Sequence, residues 1–242
     1  MNPKKNLNEN IIAKVDTIGK GGFGKVSLYR NATGSKYAVK TSTRAEKNLL
    51  HQYKILKYLR HRKICSNYLC VKGKVIHHGK FGIVVNYLND YTPLTRTKNR
   101  NLSRKDKISI AKQLLEKLML LHDNNIVHGD IKPANMLVNP YTKDARIIDF
   151  GGAVRFRKNQ QFYAPHQYTK AYFGQCRKKK EYTWDEMRQN DFWALGISFL
   201  QFFELSHRFP NGIHARNANR ANRLLKRKLG VSHPFFECPK NV

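Results

Sequence analysis

The sequence predicts an α+β fold on three observations. Strand-like runs cluster around a glycine-rich turn and continue to residue 87. Two long helical patterns follow, near residues 103 and 190, the first amphipathic and the second apolar nearly all round. The 242 residues, 40% hydrophobic and 11% aromatic, suffice to bury a sizeable core in one or two domains.

Residues 1–10 are polar and lysine-bearing, and are expected to form a loose arm with nothing of a signal peptide. Residues 11–29 read as two strands around Ile18-Gly19-Lys20-Gly21-Gly22-Phe23-Gly24-Lys25-Val26, which contains G-x-G-x-x-G-x-V. Glycines let backbone N–H groups approach phosphate closely, although a plain hairpin turn uses the same residues. A dinucleotide fold would need a helix directly after the glycines, and Val26-Ser27-Leu28-Tyr29 is a strand. Tyr37-Ala38-Val39-Lys40 is another strand, whose lysine would ordinarily reach for solvent. Thr43-Arg44-Ala45-Glu46 has the pattern of a capping box, so a helix is expected there, with Leu49, Tyr53 and Leu56 on one face. Two further strands are expected at 71–76 and 82–87.

Ser103 and Asp106 open the next helix, whose apolar stripe is Ile108, Ala111, Leu115, Leu118 and Leu121 or His122. It delivers the chain to His128-Gly129-Asp130-Ile131-Lys132-Pro133-Ala134-Asn135, and Asp149-Phe150-Gly151 comes soon after. An acid that accepts a hydroxyl proton, a cation beside a phosphate and two oxygen ligands for Mg²⁺ are what phosphoryl transfer needs. Leu137-Val138, Asn139-Pro140 and Arg146-Ile147-Ile148 read as strand, turn and strand, a hairpin that would set Asn135 beside Asp149.

These motifs resemble those of the protein kinase family, whose signature is H-R-D-x-K-x-x-N followed by D-F-G. Small-molecule kinases acting on antibiotics or choline also carry an H-G-D loop. Lys132, Asp191, Trp193 and the terminal His233-Pro234-Phe235-Phe236 argue for eukaryotic-type serine/threonine protein kinases instead. The compact size resembles kinases of large DNA viruses and some bacteria. The resemblance covers residues 11–236 and implies a two-lobed kinase-like fold. A small β-rich lobe at 11–88 would precede a mainly helical, trimmed lobe at 89–242. It implies ATP and Mg²⁺ as cofactors, with Asp130 and Lys132 catalytic and Asn135 and Asp149 on the metal. Ile18, Gly19, Gly21, Gly24, Val26, Ala38, Lys40, Asn86, Leu88 and Leu137 would bind the nucleotide. Asn190-Asp191-Phe192-Trp193-Ala194-Leu195-Gly196 resembles the start of the family's central helix.

Three departures from the family pattern bear on activity. Gln52 is expected where the family pairs a glutamate with the lysine, with Glu46, the nearest acid, as the alternative partner of Lys40. Gly129 replaces the arginine that grips a phosphorylated loop. Ala164-Pro165-His166 stands for A-P-E, with no Ser or Thr between Gly151 and Ala164. The expectation is a serine/threonine protein kinase that needs no Ser/Thr phosphorylation in that loop. An ATP-binding pseudokinase or scaffold is the alternative reading, and a phosphotransferase acting on small molecules is the third.

Lys and Arg number 46 against 16 acids, a formal charge of +30. That bias favours polyanions: an acidic protein substrate, nucleic acid or a membrane face. The run 177–180 reads as a basic surface insertion. Arg216, Arg220, Arg223 and Arg227 share a helical face, either simply solvated or a docking surface for an acidic partner or nucleic acid. No stretch is long and apolar enough to cross a bilayer, and the expected location is intracellular, cytoplasmic or nuclear. None of the four cysteines forms a C-x-x-C pair, so free thiols rather than a zinc site are expected.

Overall fold

The computed structural model describes residues 13–21, 24–42, 46–77, 80–95, 102–156, 162–163, 169–174 and 181–237. The chain divides into two compact units, Met1–Asn89 and Asp90–Val242.

In the first unit, β1 (Ala13–Gly21), β2 (Gly24–Arg30), β3 (Lys36–Thr41), β4 (Val71–His77) and β5 (Lys80–Asn86) form one sheet in the order β1-β2-β3-β5-β4. Every neighbouring pair is antiparallel. Tyr29, Val39, Val75 and Val84 form a core cluster, and Tyr37 packs against it. Helix α1 (Glu46–His61) buries Leu49, Gln52, Ile55, Leu56 and Leu59. The expected cap at Thr43 lies outside the described residues.

The cysteine expectation is corrected here. Cys65 and Cys70 are joined by a disulfide, because a 3₁₀ turn over Cys65–Asn67 brings their Cα atoms to 4.9 Å. The loop encloses Tyr68, which is fully buried. Cys176 and Cys238 lie outside the described residues.

The second unit is built on helices. Helix α2 (Arg104–Asp123) starts at a capping box in which Ser103 and Asp106 bond reciprocally. Its buried stripe is Ile110, Ala111, Leu114, Leu115, Leu118, Leu121 and His122, so it centres on Ile110 and Leu114 rather than on Ile108. The unit also holds short strands: β6 (Thr92–Pro93), β7 (Ile126–Val127), β8 (Met136–Val138), β9 (Ala145–Ile147), β10 (Val154–Arg155), β11 (Phe162–Tyr163) and β12 (Glu181–Tyr182). They pair as β6-β8-β9, β7-β10 and β11-β12.

Helix α3 (Trp184–Phe202) begins seven residues before Asp191, because Thr183 and Glu186 form a capping box there. Asp191 therefore sits mid-helix, not at the start. Gly196 of this helix has no room for a side chain: a Cβ would lie 2.6 Å from Phe236 and 2.8 Å from Phe235. Both rings are buried, and Asn222 clamps Phe236 by its backbone N–H and C=O. Asn222 belongs to α4 (Ala215–Leu229), which ends at Gly230 in the left-handed region. No helix among the described residues is long and apolar enough to cross a membrane.

Candidate active site

The turn from β7 toward β8 carries the candidate catalytic residues, and a buried carboxylate holds it in place. Asp191 is only 2% exposed. One of its oxygens accepts from the His128 N–H at 2.7 Å and faces His122 Nε2 at 3.0 Å; the other accepts from the Gly129 N–H at 2.9 Å. A buried carboxylate without such donors would be costly. Two consecutive N–H groups can reach it because Gly129 adopts φ +77°, a conformation that favours glycine over the arginine of the family signature.

His128 locks the next step. Its Nδ1 accepts from the Asp130 N–H at 3.3 Å, so its Nε2–H donates to the Ile148 carbonyl at 3.0 Å. Phe150 is fully buried and packs on the His128 ring at 5.1 Å. The two motif segments are thus tied together through one imidazole.

Three polar side chains converge at Asp130. Its Oδ1 accepts from the Thr169 hydroxyl at 2.8 Å. Its Oδ2 accepts from Lys132 Nζ at 2.7 Å and from Asn135 Nδ2 at 3.1 Å. Lys132 also donates to Thr169 Oγ1 at 2.9 Å, and Asn135 donates to the Asp130 carbonyl at 2.8 Å. A carboxylate held by three donors from three directions cannot swing, which is the positioning that proton acceptance requires.

The hairpin β8–β9 sets the candidate metal ligands. Met136 pairs with Ile147, and the Ile148 N–H donates to the Asn135 carbonyl at 2.8 Å. Asp149 follows at φ +63° and accepts from the Gly151 N–H at 3.3 Å. Among the described residues no cluster of three or more His, Cys, Asp or Glu could hold a metal on its own. One carboxylate and one amide oxygen nevertheless suit Mg²⁺, which keeps waters and takes its remaining ligands from phosphate oxygens.

The candidate nucleotide residues divide between the units, with Leu137 on β8 in the second and the others in the first. Strand register aligns Gly19 with Val26, Val26 with Lys40, and Leu28 with Ala38. Val26, Ala38 and Lys40 therefore share one face of the sheet. Gly24, at φ +149°, is required by packing, since a Cβ there would lie 2.3 Å from the Thr41 carbonyl oxygen. Gly19 is not: a Cβ would meet Val26 at an ordinary 3.8 Å. Ile18 is 41% exposed, and Gly21 ends β1. Asn86 is engaged with Cys70, donating its N–H to the Cys70 carbonyl at 3.1 Å and accepting the Cys70 N–H on Oδ1 at 2.7 Å. Leu88 is half-buried just beyond it. Gln52 is 3% exposed on the inner face of α1, whereas Glu46 is exposed in its first turn.

Sequence reasoning missed two residues. Thr169 reaches Asp130 across 39 residues. The Ala164-Pro165-His166 reading ended the loop too early to include it, and those three residues, like the 177–180 run, lie outside the described set. Asp191 was read as a motif letter and not as the anchor of the loop. A carboxylate in an apolar helix was the available signal, because burial obliges it to find donors.

The protein kinase domain family matches residues 12–237. The chain belongs to the protein kinase family. It is 29% identical over 163 residues to a probable dual specificity protein kinase YAK1 homolog of Encephalitozoon cuniculi, covering 65% of this chain and 40% of that one. It is 30% identical over 210 residues to the serine/threonine-protein kinase ppk25 of Schizosaccharomyces pombe, covering 81% and 46%. It is also 31% identical over 171 residues to the tyrosine-protein kinase Fgr of Mus musculus, covering 68% and 31%. The chain thus spans less than half the length of these kinases, and serine/threonine and tyrosine kinases both stand among its relatives.

Proposed function

We propose that this kinase transfers the γ-phosphate of ATP to serine or threonine hydroxyls of protein substrates. The observation that carries the reading is the Asp130–Lys132–Asn135–Thr169 network on a loop anchored by Asp191. Asp130 accepts the hydroxyl proton of the substrate as its oxygen attacks. Lys132 orients Asp130 and would steady the γ-phosphate. Asn135 and Asp149 hold the divalent metal, Mg²⁺ being the ion their oxygens suit. Bound nucleotide and metal supply the phosphoryl group and the charge neutralisation of the transfer. On the first unit Gly19, Gly21 and Gly24 admit the phosphates, Lys40 holds them, and Ile18, Val26 and Ala38 take the adenine; on the second unit Leu137 is assigned to the adenine as well. Because the Asn86 N–H is engaged by Cys70, the hinge contacts to adenine fall to the Asn86 carbonyl and to Leu88.

The loop after Gly151 has no Ser or Thr before Thr169, whose hydroxyl already serves Asp130 and Lys132. A phosphate on Thr169 would crowd the catalytic carboxylate, so activation by Ser/Thr phosphorylation in this loop is not part of the mechanism.

The test is transfer from Mg-ATP to a panel of acidic and basic proteins, comparing wild type with Asp130→Ala and analysing the labelled amino acid. We expect phosphoserine or phosphothreonine and at least a ~10³-fold loss in the variant, in the range general base catalysis supplies. Phosphotyrosine alone, or full activity in Asp130→Ala, would refute the assignment. A second reading, an ATP-binding scaffold, is favoured by the neutral, buried Gln52. Nucleotide binding without transfer would establish it.

A further inference from the structure

The proposed kinase chemistry makes no use of the outer face of α4. The helix buries Ala218, Ala221, Leu225 and Leu229 and turns Arg216, Arg220, Arg223, Lys226 and Arg227 outward, all exposed. It contains no acidic residue. Residues 192–242 hold only two acids, Glu204 and Glu237, against eight Lys and Arg. Glu204 is engaged by Lys107, and among the described residues no carboxylate pairs with these five cations.

We propose that this face binds the phosphate backbone of duplex nucleic acid. Three observations select that partner. First, Arg216, Arg220, Arg223 and Arg227 form one stripe at intervals of four, three and four residues. At 1.5 Å per residue the stripe is about 16 Å long. A duplex strand presents a phosphate every ~3.4 Å of axis, so about five phosphates face four guanidinium groups. Second, the stripe is arginine throughout, and the planar guanidinium takes phosphate oxygens bidentately. Third, the +30 charge is not confined to α4, so a long polyanion gains from the whole field, whereas a compact acidic protein meets one patch.

Part of the stripe is already ordered. The Arg220 guanidinium lies 5.6 Å from the centre of the Phe209 ring, while Lys228 Nζ sits 5.6 Å from that of Phe203 at the far end of the helix. Arginine held over an aromatic face loses less freedom on binding than a free one. Among the described residues no base-reading element accompanies the stripe, so the binding is expected to be indifferent to sequence.

The test uses a fluorescein-labelled 20-base-pair duplex and fluorescence anisotropy across a salt titration. The full-length chain is compared with R216Q/R220Q/R223Q/R227Q and with a charge-matched control, K47Q/K54Q/K57Q/K105Q, whose lysines are exposed on α1 and α2. We expect the α4 variant to bind at least ~100-fold more weakly at 0.1 M salt. Its plot of log K against log salt should be shallower by about 3.6, the contribution of four phosphate contacts. The control should stay within about threefold of wild type. Arg223→Gln alone should flatten the slope by about 0.9, which keeps the test valid should the quadruple variant unfold. Equal losses in both quadruple variants would replace the site with a diffuse field and overturn the proposal. No wild-type binding would also overturn it. So would displacement of the duplex by polyglutamate at equal charge concentration, which would assign the face to acidic protein. Phosphotransfer is assayed separately, so failure of either reading leaves the other standing.

Discussion

In the second unit Asp130 shares its oxygens with three side chains, and its loop hangs on a buried carboxylate inside α3. In the first unit Val26, Ala38 and Lys40 are set by the register of antiparallel strands, and α1 buries a neutral amide, Gln52. On the proposed roles, the two arrangements answer different demands. A general base must be held in both position and rotation, which takes hydrogen bonds from several directions. A lysine that grips a phosphate needs to be delivered to a place and can find its own angle, because its three donors rotate. Sheet register suffices for the second task and not for the first.

The largest effect that would break this contrast comes from Asp191→Ala. It strands the His128 and Gly129 N–H groups and His122 in the interior, and we expect a loss of about 3–5 kcal/mol in urea unfolding. Transfer should fall even under conditions where the protein remains folded. A cost below ~1 kcal/mol would mean that the loop has another anchor.

An intermediate effect belongs to the aromatic surroundings of the same anchor. His233 packs on Phe192 at 4.1 Å and Phe235 at 5.0 Å, its Nε2 without a partner among the described residues. Burial, with smaller contributions from His122 and Arg188, pushes its pKa down from 6.5 to about 4. The unfolded chain therefore binds more protons between those values, so this contribution is complete above pH ~6.5 and lost as pH falls toward ~4. Allowing for the ring's partial exposure, about 2 kcal/mol should disappear over that window. In His233→Gln the unfolding free energy should decline less between pH 7.5 and 5 than in wild type; parallel curves would show that the ring titrates normally.

The smallest effect would sharpen the comparison from the other side. If Gln52 faces Lys40, Gln52→Glu converts a neutral hydrogen bond into a charge-assisted one. We expect kcat/KM for ATP to rise about three- to tenfold, worth about 1 kcal/mol. An unchanged or lower value would separate Gln52 from the lysine.

What could be read from the sequence follows the reach of each interaction. The α2 cap at Ser103 and the β8–β9 hairpin are encoded within a few residues, so local pattern sufficed for them. The class of the fold followed from the order of such local elements. The Asp191 anchor spans 62 and 63 residues to its backbone donors, and Thr169 lies 39 residues from Asp130. No periodicity reports such pairings. The start of α3 was misplaced for a related reason: the apolar pattern around Asp191 is continuous, and only the Thr183–Glu186 pair marks where the helix begins. Cys65 and Cys70 were misread because composition speaks to the usual state of cysteines, while a single 3₁₀ turn decides whether two of them meet.

The Asp191 carboxylate can also be seen as a surveyor's benchmark. His128 and Gly129 are measured from it directly, Asp130 from His128, and Lys132, Asn135 and Thr169 from Asp130. Each step is one hydrogen bond long, so little error accumulates between the helix and the Asp130 carboxylate. Every member of that chain of reference lies in the second unit, so the Asp130 carboxylate is placed by contacts within that unit.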